Sequence, residues 1–235
     1  MNLMLLFAND LVAPSRVRLT GRRLQHVLSV HRAGVGDALS VGLLNGGMGT
    51  GKIERLDGTS MEMEIVLDRE PPEKIPLTVV LALPRPKVLR RVLHGLTVLG
   101  VRRIVLVNAA RVEKSYWQTP FLADEAIRRQ LLLGLEQAKD TVLPEVLVRK
   151  LFKPFVEDEL GELSRDTLCL AAHPSALENF PRAANGPATL AVGPEGGFLS
   201  YEIDKLRDCG FKPVSMGPRI LNVETAVPSL VARLF

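Results

Sequence analysis

The sequence predicts an α/β domain on a mostly parallel sheet, preceded by a small β-rich unit, and three observations predict it. Up to about residue 69, apolar and polar positions alternate in short runs separated by glycine-rich turns, the period of half-buried strands. The segment Glu70-Pro71-Pro72-Glu73-Lys74-Ile75-Pro76 then interrupts regular structure, because each proline removes a donor and fixes φ. Beyond it, short apolar runs alternate with longer amphipathic stretches, as strands joined by crossover helices do.

Taken in order, the opening run 1–8 is apolar but has neither a basic flank nor a small-residue cleavage site, so it is not expected to act as a signal peptide. Residues 21–31 have a helical spacing, with Leu24, Val27, Leu28 and His31 roughly on one face. Residues 38–43 and 61–67 alternate as strands. The proline segment places a domain boundary between 1–72 and 73–235. In the second part the expected strands are 77–83, 104–107, 167–172, 189–192 and 212–215, and the expected helices 88–99, 123–139, 201–209 and 225–234. Glu136-Gln137 reads as an exposed helix end, followed over 141–145 by a proline turn. In open sheets of this kind ligands bind beyond the carboxyl ends of strands, so the loops after the strands are where chemistry is sought.

A chain of 235 residues with 46% hydrophobic and 24% charged residues has the composition of an ordered globular protein. No apolar run approaches the roughly 18 residues of a membrane span, and a cytoplasmic protein is expected. Cys169 and Cys209 lie far apart without CxxC spacing or clustered histidines, so neither a disulfide framework nor a metal site is expected. The 30 basic against 26 acidic residues give +4, a weak argument for a polyanionic partner. The distribution says more. Arg85, Lys87, Arg90, Arg91, Arg102, Arg103, Arg111 and Lys114 share their stretch with one acid, Glu113; Arg16, Arg18, Arg22, Arg23 and Arg32 share theirs with Asp10. Both clusters fit a phosphate-binding surface and equally fit solvated faces balanced by acids elsewhere.

Four motifs bear on chemistry. Gly46-Gly47-Met48-Gly49-Thr50-Gly51-Lys52 matches half of a phosphate-binding loop, but Ile53 stands where a magnesium-holding Ser or Thr is needed, and the segment joins two antiparallel strands, so a flexible hairpin is expected. Val192-Gly193-Pro194-Glu195-Gly196-Gly197-Phe198 follows an apolar strand and precedes a helix. Its glycines let backbone approach a ligand, Pro194 stiffens the turn, Glu195 supplies one carboxylate, and Ser200 is expected to cap the helix. Met216-Gly217-Pro218-Arg219-Ile220-Leu221-Asn222-Val223-Glu224-Thr225-Ala226 is a second such loop. Asn222 or Thr225 suits the helix cap, which leaves Arg219 to meet an anionic or polarised ligand. His173-Pro174 ends a third strand, where the histidine suits a pocket wall better than catalysis.

Together these residues resemble the ribosomal small-subunit RNA methyltransferases that modify N3 of a uridine. The resemblance lies in Gly193 to Gly197, in Met216 to Leu221 with Glu224-Thr225-Ala226, in His173-Pro174, and in Glu136-Gln137 with Val142, Pro144 and Glu145. Order and spacing agree over nearly the whole chain. The resemblance implies a small PUA-like β-barrel domain that grips RNA, followed by a SPOUT-type trefoil-knotted methyltransferase domain working as a homodimer. It implies S-adenosylmethionine as cofactor, held by Ala172, His173, Gly193, Pro194, Glu195, Gly196, Gly197, Met216, Gly217, Ile220, Leu221 and Thr225. Arg219 and Glu195 are the catalytic candidates, and Arg16, Arg22, Arg23 and Asn222 the RNA-binding ones. The chain departs from the family pattern at Asn222, where an arginine is usual, at Gly95 and Val98, where a lysine and a glutamate are, and at Lys139-Asp140, where a Gly-Arg pair is. These departures sustain an alternative, an RNA-binding ribosome-assembly factor that keeps the fold without the chemistry. A dinucleotide-dependent oxidoreductase ranks last, because no G-x-G-x-x-G follows an early strand.

Overall fold

The computed structural model describes residues 2–235; Met1, which opens the apolar run and the predicted first domain, lies outside them. Packing groups the chain into two units, Met1–Glu73 with Leu132–Leu143, and Lys74–Leu131 with Pro144–Phe235. We propose the proline segment, between 72 and 73, as the domain boundary along the chain.

The first unit runs through β1 (Met4–Leu6), a 3₁₀ turn at Ala8–Asp10, β2 (Leu11–Ala13), β3 (Arg16–Leu19) and α1 (Gly21–His26), which continues as a π-helical turn over Val27–His31. Then come β4 (Ala38–Leu43), β5 (Met48–Leu56) and β6 (Met61–Arg69). They form a curled six-stranded sheet in the order β1-β4-β5-β6-β3-β2. It is mixed, because β1 lies parallel to β4 while the other neighbours are antiparallel. The sequence alternation is the cause: in β3, Val17 and Leu19 point inward while Arg16 and Arg18 face water. Inward residues of five strands meet Leu24 and Val27 in one core. A second cluster joins Leu3, Leu5 and Met48 to Leu135. The expected hairpin over 46–52 is present between antiparallel strands, but Met48 to Lys52 are strand residues. Gly49 is glycine for closeness rather than for flexibility, since a Cβ there would lie 1.8 Å from the Val66 carbonyl oxygen.

The second unit comprises β7 (Ile75–Ala82), α2 (Pro86–Val98), β8 (Val101–Val107), 3₁₀ turns at Lys114–Gln118 and Pro120–Leu122, α3 (Asp124–Ala138) up to Leu131, and β9 (Glu145–Arg149). It continues with α4 (Phe152–Pro154), which passes through a π-helical turn (Phe155–Leu160) into α5 (Gly161–Leu163). The chain closes with β10 (Leu168–Ala172), β11 (Ala188–Val192), α6 (Ser200–Asp208), β12 (Lys212–Val214) and α7 (Val223–Leu234). Its six strands are all parallel, in the order β12-β10-β11-β7-β8-β9. Every residue of the central strand β11 is buried, which explains its unbroken apolar run.

Two features depart from expectation. Residues 145–149 form a strand that was not among those expected, starting where the proline turn read over 141–145 ends; β9 is an edge strand with no fully buried residue, so burial never forces its sequence to be uniformly apolar. Helix also forms over 152–163, although Pro154 interrupts the pattern, because proline is tolerated in a first turn. The loop from His173 to Pro187 holds the end of the chain by backbone pairing. Ser215 N–H donates to the Glu178 carbonyl and Phe180 N–H to the Ser215 carbonyl (both 2.8 Å), and Ala183 and Ala184 N–H donate to the Arg233 and Leu234 carbonyls at 2.9 and 2.8 Å.

Candidate active site

Three parallel strands, β10, β11 and β12, end side by side, and the loops that leave them enclose a cavity of about 270 Å³. The structure brings to its wall Ala172 and His173 from the first loop, Gly193, Pro194, Glu195, Gly196 and Gly197 from the second, and Met216, Gly217, Arg219, Ile220 and Leu221 from the third. The volume stands at the small end of the usual range for ligand pockets, about 300–1,000 Å³. Val192, Val214 and Leu230 give it an apolar back.

Local chemistry explains the loop shapes. After β11 the chain folds back on itself so tightly that a Cβ on Gly193 would lie 2.9 Å from the Phe198 amide nitrogen, a distance real side chains do not reach. Gly197 N–H closes the turn on the Pro194 carbonyl at 2.8 Å. The helix that follows is capped differently from the sequence reading. Ser200 is its first residue rather than its cap; Leu199 is the cap, and its N–H donates to Glu202 Oε2 at 2.8 Å. Glu202 Oε1 accepts from Ala110 N–H, also at 2.8 Å. Glu202 is thus a fully buried carboxylate whose two oxygens bolt the loop after β8 to the start of α6. Ser215, absent from the sequence-based candidates, is buried in the cavity wall. Its hydroxyl accepts from Gly217 N–H at 3.1 Å and lies 3.4 Å from the Pro174 carbonyl oxygen, joining two of the loops.

Two arginines of the long basic stretch hold the glycine loop. Arg85 N–H donates to Glu195 Oε1 at 2.9 Å, and Arg111 donates from its guanidinium to the Gly196 carbonyl. The Tyr116 hydroxyl, and then the Glu195 carboxylate, raise the Arg85 pKa above its ordinary value by favouring the cation. Position in the sequence gave their sign and not this role, since Glu195 lies 110 residues from Arg85. Arg219 stands exposed at the cavity with no ion-pair partner among the described residues.

Other candidates lie elsewhere. Thr225 is exposed and outside the cavity wall; its N–H donates to the Asn222 side-chain oxygen at 2.8 Å, so Asn222 caps α7. In the first unit Arg16 pairs with Glu54 at 2.9 Å, and Arg22 with the buried Glu136 at 2.6 Å. Arg23 is committed within the fold. It makes two bonds to Asp10 (2.5 and 2.7 Å) and one to the Leu5 carbonyl (2.9 Å), it stacks on Phe7, and its side chain is 15% exposed. Gly95 and Val98 lie on α2, and Lys139 follows α3 with a positive φ of 56°.

The model of the RNA methyltransferase domain family matches residues 71–234. A ribosomal RNA small subunit methyltransferase E of Treponema pallidum is 30% identical over 211 residues, covering 87% of this chain and 79% of its own. The enzyme of the same name from Synechocystis is 30% identical over 237 residues, covering 98% and 76%. Among solved structures, a ribosomal RNA small subunit methyltransferase E from Neisseria gonorrhoeae, bound to S-adenosyl methionine, superposes with a TM-score of 0.74 at 20% identity, covering 98% of this chain and 95% of that one. That likeness gives the fold, which is SPOUT-type.

Proposed function

The chain belongs to the family of ribosomal RNA small subunit methyltransferases, and from that premise we infer that it transfers the methyl group of S-adenosylmethionine to N3 of a uridine in 16S ribosomal RNA. The single observation that carries this reading is the cavity where three strand-end loops converge, with Arg219 at its wall and without an ion-pair partner among the described residues.

The residues present suit the cofactor. A small, mostly apolar pocket lined by glycine-containing loops suits an adenine and a ribose, and the turn at Gly193, which excludes a Cβ, leaves the main chain open to close approach. Val192, Leu221 and Leu230 would take the flat ring, and the loops at 193–197 and 216–221 the polar edges. When bound, the cofactor supplies an electrophilic methyl group on a sulfonium. The protein's own work is alignment and exclusion of water. Uridine N3 carries a proton that must leave for its lone pair to attack, and the ring then gathers negative charge. The Arg219 guanidinium offsets that charge where it develops. Glu195 is held by Arg85 N–H through one oxygen, which keeps the other available to orient the base or to take the proton. We further propose that Arg16 and Arg22 contact RNA phosphates, that the enzyme is a homodimer, and that it works in the cytoplasm.

Calorimetric titration of the purified chain with S-adenosylmethionine tests the premise: saturable binding near one site per chain is expected, and a folded protein that binds none overturns it in favour of the assembly factor. Mapping N3-methylated uridines in ribosomal RNA from a strain lacking the gene then tests the target. Loss of one modified uridine is expected, and an unchanged pattern refutes the assignment.

A further inference from the structure

Besides the cofactor cavity, the second unit carries a groove of about 450 Å³ whose charged side chains are all cations, lined by Lys87, Arg90 and Arg91 together with His94, Phe121 and Gln130. We propose that this groove binds the phosphate backbone of the single-stranded RNA flanking the target nucleotide; the inference rests on the reading of an RNA substrate given above.

The spacing 87, 90, 91, 94 puts all four basic side chains on one face of α2. No carboxylate lines the groove. Arg91 is neutralised by Glu224 at 2.9 Å, but Lys87 and Arg90 have no ion-pair partner among the described residues. For the isolated helix this arrangement is unfavourable twice over. Like charges three and four residues apart repel. Lys87 and Arg90 also stand in the first turns of α2, where the helix dipole favours anions and the sequence supplies no acid. A bound polyanion offsets both penalties. Arg90 is held in place: its guanidinium lies 4.9 Å from the centroid of the Phe121 ring. The groove adjoins the reaction centre through the chain itself, since Arg85, the residue before α2, donates its N–H to Glu195 of the glycine loop. A strand whose target base entered the cavity would therefore meet Lys87 and Arg90 next. A second copy of this chain is a poorer occupant, because the buried centres of subunit interfaces are depleted in charge, in lysine above all.

The test is fluorescence anisotropy of the full chain with labelled oligouridylate over a salt series. Each lost phosphate contact to a single strand lowers the slope of log K against log salt by about 0.7. K87A/R90A is thus expected to weaken binding and to flatten the slope by about 1.4, with S-adenosylmethionine binding by calorimetry unchanged and no fall in melting temperature. The variant R165A/R207A removes the same charge outside the groove and is expected to keep the parental slope. A slope for K87A/R90A equal to the parent's, or equal to that of R165A/R207A, overturns the proposal. So does a change in sedimentation without a change in slope, which would assign the groove to a second copy. Failure of the parent chain to bind S-adenosylmethionine strikes the methyltransferase reading instead and leaves the slope comparison to stand alone.

Discussion

Arg219 and Glu202 are both charged residues of the second unit, yet they do opposite work. Arg219 is exposed and unpaired, so its removal leaves no buried partner stranded. Arg219→Ala is expected to melt like the parent while losing about 10²–10³ in kcat, as loss of one charge-stabilising group does; single-turnover assays at saturating cofactor, with a melting curve, check both halves. Full turnover in a folded variant would remove its catalytic role. Glu202 touches no ligand wall. It satisfies Leu199 and Ala110 N–H from inside the protein, and glutamine can offer an oxygen to only one of them. Glu202→Gln is expected to cost about 1–3 kcal/mol in urea unfolding, the penalty of a buried donor left alone. A change within experimental error would show that the two loops are tied otherwise. The sequence displayed Glu202 only as an acid in a first turn. That its second oxygen reaches Ala110 depends on the sheet order, which no local pattern records.

Caps and turns set the boundaries of the elements, and here the sequence was readable to different degrees. Helix α7 starts where its motif says, because the Asn222 side chain accepts from Thr225 N–H. Asn222→Ala is expected to cost about 1 kcal/mol in chemical denaturation and Asn222→Asp almost nothing, since aspartate caps equally well. Equal losses for both would mean that the residue's value lies outside the cap. Asn222 thus has a structural occupation, the cap that the sequence offered as one of two candidates. The turn between β5 and β6 offers a pH test. Asp57 is held down to about 2 by bonds from the Thr59 hydroxyl and the Thr59 and Ser60 N–H groups. Its folded value lies below its unfolded one, so the stabilisation is complete above about pH 4 and fades as pH falls towards 2. The advantage of the parent over Asp57→Asn in melting temperature should therefore shrink across that window; a constant difference would show that the carboxylate charge is not what the turn uses. Strands such as β11 could be read because burial on both faces imposes an apolar run, whereas the edge strand β9 escapes that demand and was missed.

At the scale of the molecule, alternation of apolar and polar residues gave the β-rich beginning and the α/β remainder, but not the assignment of every residue to its unit. Leu132–Leu143 packs with the first unit although it follows the proline segment by some distance, because Leu135 completes the cluster of Leu3, Leu5 and Met48. Residues 74–235 produced alone should therefore carry an uncovered apolar patch, and are expected to melt below the full chain and to bind more of a hydrophobic dye. Equal melting and dye binding would refute that. Periodicity was equally silent on the embrace of residues 215 and 233–234 by the loop from His173 to Pro187, since backbone pairing between segments so far apart in sequence leaves no local signal. That embrace bears on biosynthesis. The loop leaves the ribosome before the residues it must enclose, and the cavity takes walls from both. Each strand and helix can form as it emerges, but the pocket exists only after the last loop has docked. Retention on a cofactor-linked resin would therefore sort chains by how far they have matured, passing over those that have folded locally but whose last loop has not yet closed the pocket.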